Sequence, residues 1–166
     1  VIECGRRQKP QKAQVGINKP EGGLDTKKRV TTISWIPFDE MKEMYDQVNS
    51  FIQKANRNHF GFEDVHVTEQ AQFTEYPVGG FYDWHMDTDV NMQYEPPVRK
   101  ISMTLLLSPE NQFEGGDLEL MAKGKRASLK QGHAIIFASF LNHRVAPVTR
   151  GVRQSLVMWF GGTPFK

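Results

Sequence analysis

Between residues 69 and 160 the chain alternates short β-patterned segments with clusters of turn-forming residues, and this rhythm constrains its fold more than any other feature. The segments are 69–76, 82–87, 100–107, 117–121, 134–137, 143–148 and 153–160. Between them stand Pro77-Val78-Gly79-Gly80, Ser108-Pro109-Glu110-Asn111, Glu114-Gly115-Gly116-Asp117 and Lys130-Gln131-Gly132. Many short strands with few helices close into a sandwich or a barrel. The expected fold is mainly β with a flanking helix: a double-stranded β-helix, the jelly-roll or cupin-like barrel. At 166 residues the chain fits one domain (1–166, with a core at 69–162) and can bury that core without disulfides.

Ahead of the barrel, residues 29–36 are β-branched and aromatic and read as one strand ended by Pro37. Asp39 is placed to cap the next element, with Phe38 as a hydrophobic staple. Met41, Met44, Tyr45, Val48, Phe51 and Ile52 then recur at helical spacing, predicting a helix over 39–55 that packs against the outside of a sheet. Residues 1–28 read as an irregular basic lead-in with a short strand near 13–15. The chain opens at Val1 in mid-element, so further sequence is expected ahead of it.

Net charge is +2, but residues 1–29 hold eight basic side chains against Glu3, Glu21 and Asp25. Such an arm can touch nucleic acid, although a solvated lead-in is the commoner meaning. Cys4 is the sole cysteine, which excludes an internal disulfide and suits a reducing, cytoplasmic setting. No apolar run approaches the length of a membrane span. A monomer or weak dimer is expected.

The chemistry centres on His85-Met86-Asp87. In a strand, residues i and i+2 share a face, so this pair projects together, about 7 Å apart at Cα. A third ligand must come from a distant strand. His59, His66, His133 and His143 are the candidates; any one histidine alone is more often a surface group. His143 is favoured, because it opens a strand leading to Thr149-Arg150-Gly151-Val152-Arg153. Two histidines and a carboxylate on one face of a metal leave positions open, the pattern of non-heme Fe(II) oxygenases.

Arg153 follows on the next strand, where alternation groups it with Ser155, Val157 and Trp159 and sends Gln154, Leu156, Met158 and Phe160 to the other face. An inward guanidinium needs an anion, and a carboxylate matches it bidentately. Arg150 precedes Gly151 in an expected turn and is assigned to solvent. Tyr76 and Tyr82 flank the turn leading to the metal strand, so each could bring a polar tip to the site or simply be core. The same alternatives hold for Trp84 and Trp159, while Trp35 reads as core.

Tyr76, Gly79, Tyr82, His85 and Asp87, then Glu114-Gly115-Gly116-Asp117, then His143 and Arg153 together resemble the prolyl 4-hydroxylase-like branch of the 2-oxoglutarate- and Fe(II)-dependent dioxygenases. The resemblance spans about residues 69–162, and more loosely the strand and helix before them. It implies that His85, Asp87 and His143 bind Fe(II), that Arg153 binds the distal carboxylate of 2-oxoglutarate with help from Tyr76, and that Tyr82 and Trp159 face the prime substrate. It also implies O2 as co-substrate, ascorbate as reductant, and hydroxylation of prolyl residues in a peptide or protein. The loop at 88–98 would be a lid. Two departures stand out. Collagen-type relatives carry Lys where this chain has Arg153. Some relatives carry a Tyr on the strand before the Gly-Gly turn, where this chain has Leu105, Leu106 and Leu107.

The rivals are a hydroxylase of a free amino acid or other side chain, a nucleic-acid dealkylase and a cupin-like metal-binding module. The dealkylase pattern of Arg-x-Asn-x-Thr-x-Arg is missing from Arg153-Gln154-Ser155-Leu156-Val157-Met158-Trp159, so nucleic acid is disfavoured. The non-catalytic module does not account for an inward Arg153.

Overall fold

A computed structural model of the chain describes residues 1–13, 26–88, 97–127 and 129–165. In chain order the elements are α1 (Ile2–Arg7), β1 (Gln11–Lys12), β2 (Arg29–Val30), β3 (Thr32–Ile36), α2 (Lys42–Ala55), β4 (His66–Val67), β5 (Ala71–Tyr76), β6 (Phe81–His85) and β7 (Val98–Leu106). They continue with β8 (Phe113–Gly115), β9 (Leu118–Leu120), β10 (Arg126–Ala127), β11 (Ala134–Ala138), β12 (His143–Val145), β13 (Val148–Gly151) and β14 (Arg153–Gly162). Among the described residues, one sheet runs β1-β3-β5-β14-β7-β11, with β4 also on β14. A second runs β10-β9-β12-β6-β2, and β13 pairs with β8. Every pairing is antiparallel.

The long central strand β14 organises the molecule through its two faces. Leu156, Met158 and Phe160 join Phe73, Ile101 and Met103 in the main core. α2 lies over that face with Tyr45, Ile52, Met41, Met44 and Val48, as its 3.6-residue periodicity requires. The opposite face carries Arg153, Ser155, Val157 and Trp159 toward the second sheet. Phe137, Val145, Leu118, Val148 and Tyr76 form a smaller apolar cluster on that side.

Several sequence expectations change in detail. Residues 29–36 are two strands, not one: β2 joins the second sheet and β3 the first. Thr31 makes the step between them, its hydroxyl donating to the Glu75 carbonyl at 2.8 Å. Residues 143–148 divide likewise into β12 and the start of β13. The lead-in contains a helix, α1, which buries Cys4 in the main core, followed by β1; the expected strand at 13–15 falls largely outside the described residues. Part of its basic charge is internal, since Arg6 pairs with Glu75 at 3.2 Å. α2 starts at Lys42 with Met41 as N-cap, while residues 39–41 form a turn, so Asp39 does not cap it. Phe38 does reach Tyr45, ring to ring at 4.7 Å. Phe51, despite its spacing, faces solvent at 58 % exposure.

Tyr45 ties the helix to the sheet by more than packing. Its hydroxyl donates to the Ile36 carbonyl at 2.5 Å and accepts the Ala71 amide at 2.7 Å, closing the ends of β3 and β5. Replacing Tyr45 with Phe leaves both backbone groups without a partner in a dry place. The expected cost is about 1–3 kcal/mol, read as a lower urea midpoint at unchanged m-value; a midpoint equal to wild type would refute it.

Candidate metal centre

β6 and β12 are neighbours, and His85 stands directly opposite His143. Their rings lie 4.1 Å apart at the centroids. Each ring is held the same way: His85 Nδ1 lies 2.7 Å from the Asp83 carbonyl and His143 Nδ1 2.9 Å from the Leu141 carbonyl. A carbonyl can only accept, so each Nδ1 carries the proton and each Nε2 offers a lone pair. This is the tautomer a metal ligand needs. Both Nε2 atoms lie 3.5 Å from an oxygen of Asp87. The three ligand atoms fall within 4.8 Å of one another, a spacing that fits one divalent ion.

Asp87 lies two residues past the end of β6, yet it shares a side with His85 as expected, with Met86 exposed between them. The ladder of β6 ends at His85, and the chain bends at Asp87 and Thr88. The Asp87 amide donates to the Ser139 carbonyl at 2.9 Å, which sets the bend. Ser102 on β7 donates to Asp87 Oδ2 at 2.7 Å, and its hydroxyl meets Ser139 Oγ at 2.9 Å. Neither serine was recognised from the sequence. Ser102 shares its face of β7 with Lys100 and Thr104, so nothing in the local pattern sets it apart. Burial pushes the Asp87 carboxyl up, but its contacts with His85 and His143 and the hydroxyl of Ser102 outweigh it and hold the group well below the usual carboxylate range. Burial lowers the His143 imidazole, against the opposing pull of Asp87. An anionic carboxylate beside a neutral imidazole is the protonation state that metal binding requires. Removing the serine hydroxyl by Ser102→Ala is expected to weaken Fe(II) binding by roughly 10- to 100-fold, measured by anaerobic titration; unchanged affinity would show that Asp87 needs no such support.

The other histidines stand apart from this cluster. His59 lies in the turn that continues α2, His66 pairs with Asp64 at 3.4 Å on β4, and His133 sits in a turn; all three are exposed.

Arg153 is 1 % exposed. It lies opposite Tyr76 across β14 and β5, with the guanidinium 5.6 Å from the Tyr76 ring centroid. Nη1 donates to Ser155 Oγ at 2.9 Å, Ser155 meets Thr74 Oγ1 at 2.6 Å, and Nη2 is buried with no partner. Burial lowers the Arg153 pKa, opposed by Tyr76 and Asp117, yet a guanidinium stays a cation in proteins. The Gly-Gly turn makes room for it. Gly116 has φ +66°, and a Cβ there would stand 2.7 Å from Arg153 Cδ. A cavity of about 270 Å³ lined by Leu106, Leu118, Gly116 and Asp117 reaches the same arginine. A half-satisfied buried guanidinium beside a cavity fits a carboxylate ligand. Ser155 and Thr74 place hydroxyls there, where the leucines of β7 offer none. Arg150 lies in β13, not a turn, but it is exposed as expected and pairs with Glu114 at 2.8 Å.

At the other end of the interior, Tyr82 stacks on His85, with centroids 3.5 Å apart and planes at 14°. Trp159 is 6 % exposed, carries Arg99 over its face at 3.9 Å and has a buried Nε1 without a partner. Trp35 is half-buried against Trp159 at 6.2 Å, at the site and not in the main core. Trp84 has Arg144 at 5.2 Å from its ring. Of the expected lid, residues 89–96 lie outside the described residues.

Residues 71–161 match the sequence model of the 2OG-Fe(II) oxygenase superfamily. A PKHD-type hydroxylase of Colwellia psychrerythraea is 35 % identical over 123 residues, covering 70 % of this chain and 55 % of that protein. One of Idiomarina loihiensis is 40 % identical over 92 residues, covering 54 % and 41 %. The chain thus spans about half the length of the relatives it matches. The fold is shared with a Pseudomonas putida prolyl-4-hydroxylase at TM-score 0.65 and 24 % identity, covering 85 % of this chain and 77 % of that one. It is shared too with a Trichoplax adhaerens prolyl hydroxylase solved with a peptide fragment of hypoxia inducible factor, at TM-score 0.68 and 20 % identity, covering 92 % and 70 %. Since the family match runs unbroken from β5 through almost all of β14, more than half of the chain, this protein belongs to the 2OG-Fe(II) oxygenase superfamily.

Proposed function

We propose that residues 1–166 act as one hydroxylase domain, with 69–162 as its catalytic core, and that its substrate is a prolyl residue in a peptide or protein. The observation that carries this is the buried, half-satisfied Arg153 in the same barrel as a His-Asp-His cluster whose imidazoles both present Nε2. A resting metal site would need the cluster alone; a dicarboxylate co-substrate needs the arginine as well. His85, Asp87 and His143 would hold Fe(II) from one side, with other positions left to ligands. Arg153 and Ser155 would grip the distal carboxylate of 2-oxoglutarate, with Tyr76 as a wall. Tyr82 and Trp159 would orient the substrate over the metal and keep water away. When bound, Fe(II), O2 and 2-oxoglutarate supply the oxidising power, giving succinate and carbon dioxide while one oxygen atom enters the substrate C–H bond. Because Asp87 occupies the carboxylate position, hydroxylation is the reaction proposed, not halogenation.

The prolyl assignment draws support from the PKHD-type hydroxylases and the prolyl hydroxylases that this chain resembles. No helix among the described residues is long and apolar enough to cross a membrane; a cytoplasmic site of action, ascorbate as reductant and a monomer or weak dimer complete the proposal. The test is a search by mass spectrometry for gain of one oxygen atom across proline-containing peptides, with succinate measured in parallel. Succinate stimulated only by a free amino acid would redirect the substrate assignment. No succinate under any condition would leave the cupin-like module.

A further inference from the structure

A second arginine lies inside the barrel. Arg29 on β2 stands opposite Tyr82 on β6, so the two side chains share a face. Arg29 is only 9 % exposed, and its guanidinium stacks over the Tyr82 ring at 4.3 Å. Tyr82 in turn stacks on His85, so this cation is one aromatic layer from a metal ligand. Its hydrogen-bond partner is Gln72 on the facing sheet, Nη2 to Oε1 at 2.9 Å, and its Nε is buried with no partner.

A buried guanidinium held, among the described residues, by an amide oxygen and a ring face is poorly compensated. Neighbouring cations are treated differently. Arg99, at the same end of the interior, is neutralised by a bidentate pair with Glu69 at 2.6 Å. No described carboxylate forms an ion pair with Arg29. With Fe(II) and 2-oxoglutarate in place, the metal, Asp87, the dicarboxylate and Arg153 cancel in formal charge. Arg29 is then left over, together with the orphan donor of Trp159.

We infer that Arg29 is a substrate-specificity residue: it binds a carboxylate carried by the prime substrate, within a few bonds of the carbon to be hydroxylated. This rests on the proposed function and deepens it by naming a substrate class. The carboxylate has two sources, the acidic side chain of a residue next to the target proline or the terminal carboxylate of the proline itself. Arg29 is spatially separate from the Arg153 subsite in this reading, so the two arginines sort two anions, one from the co-substrate and one from the substrate.

The test uses the chain loaded anaerobically with Mn(II) and 2-oxoglutarate and follows quenching of tryptophan fluorescence. The probes are N-acetyl-Pro-Glu-amide against N-acetyl-Pro-Gln-amide, and N-acetyl-proline against its amide. One acid is expected to bind at least about tenfold tighter than its amide twin, the scale of one charge-assisted contact. Which acid wins identifies the source. Arg29→Gln should erase the gap while leaving 2-oxoglutarate affinity unchanged. Arg29→Lys, which keeps the charge, should retain part of the gap and guards against a folding defect in the first variant. No gap in the wild type, a gap that survives Arg29→Gln, or a loss of 2-oxoglutarate affinity in that variant would each overturn the assignment. The same peptides are then turned over with Fe(II) and O2. A gap without oxygenated product would sink prolyl hydroxylation alone, and product without a gap would sink the Arg29 site alone.

Discussion

Arg153→Ala is expected to raise the 2-oxoglutarate concentration needed for half-maximal turnover by roughly two to three orders of magnitude. The reasoning starts from burial. The guanidinium is almost wholly enclosed, with one arm on Ser155 and the other without a partner. Truncating one member of a buried, hydrogen-bonded charge pair costs about 2–5 kcal/mol, and each 1.4 kcal/mol is a factor of about ten. The co-substrate would lose both the countercharge and a fixed fork. Arg153→Lys should fall between, because an ammonium keeps the charge without the fork. Arg150→Ala should match wild type, since Arg150 is exposed and its partner Glu114 is too. The measurement is the 2-oxoglutarate dependence of succinate formation, supported by the visible charge-transfer band of the anaerobic Fe(II) complex. If Arg150→Ala proves the more damaging, the co-substrate lies elsewhere.

The second large effect is on the metal. Removing His143 should abolish Fe(II) binding at micromolar metal, and removing Asp87 should do the same. His143 is 5 % exposed, its Nδ1 is committed to the Leu141 carbonyl, and its Nε2 faces Asp87. Among the described residues no other side chain joins the cluster, and His133 sits exposed in a turn away from it. His133→Ala should therefore bind iron like wild type. Equilibrium dialysis of Fe(II) under anaerobic conditions separates these outcomes. Retained binding in His143→Ala would mean that His85 and Asp87 recruit a different third ligand.

Much of the site could be read before any coordinates. Alternation along β14 correctly sent Arg153, Ser155 and Trp159 to one side and Leu156, Met158 and Phe160 to the other, because a strand has only two faces. His85, Asp87 and His143 came together as expected, although Asp87 lies past the end of the strand expected to carry it. Its carboxylate is delivered by a bend anchored on Ser139, a contact between residues far apart in the chain. Ser102, Thr74 and Gln72 left no local trace either, since a buried polar residue on a strand looks like any surface one until its partners are known.

Boundaries failed where local pattern and tertiary demand diverged. Residues 29–36 and 143–148 read as unbroken strands, yet both cross between sheets, and a change of sheet is settled by what lies alongside. The same crossing turned Arg29 from part of a basic lead-in into an interior cation stacked on Tyr82.

By itself, then, the sequence determined the barrel class, the helix that covers it, the three side chains that gather as a candidate metal centre and the arginine that turns inward. These follow from short-range periodicity and from the chemistry of residue types. Only the tertiary structure decided which nitrogen of each imidazole is left free, what holds Asp87 in place and that a second arginine enters the interior with no ion pair among the described residues. Those are matters of distance between remote strands, and burial alone gives an unpaired charge its meaning.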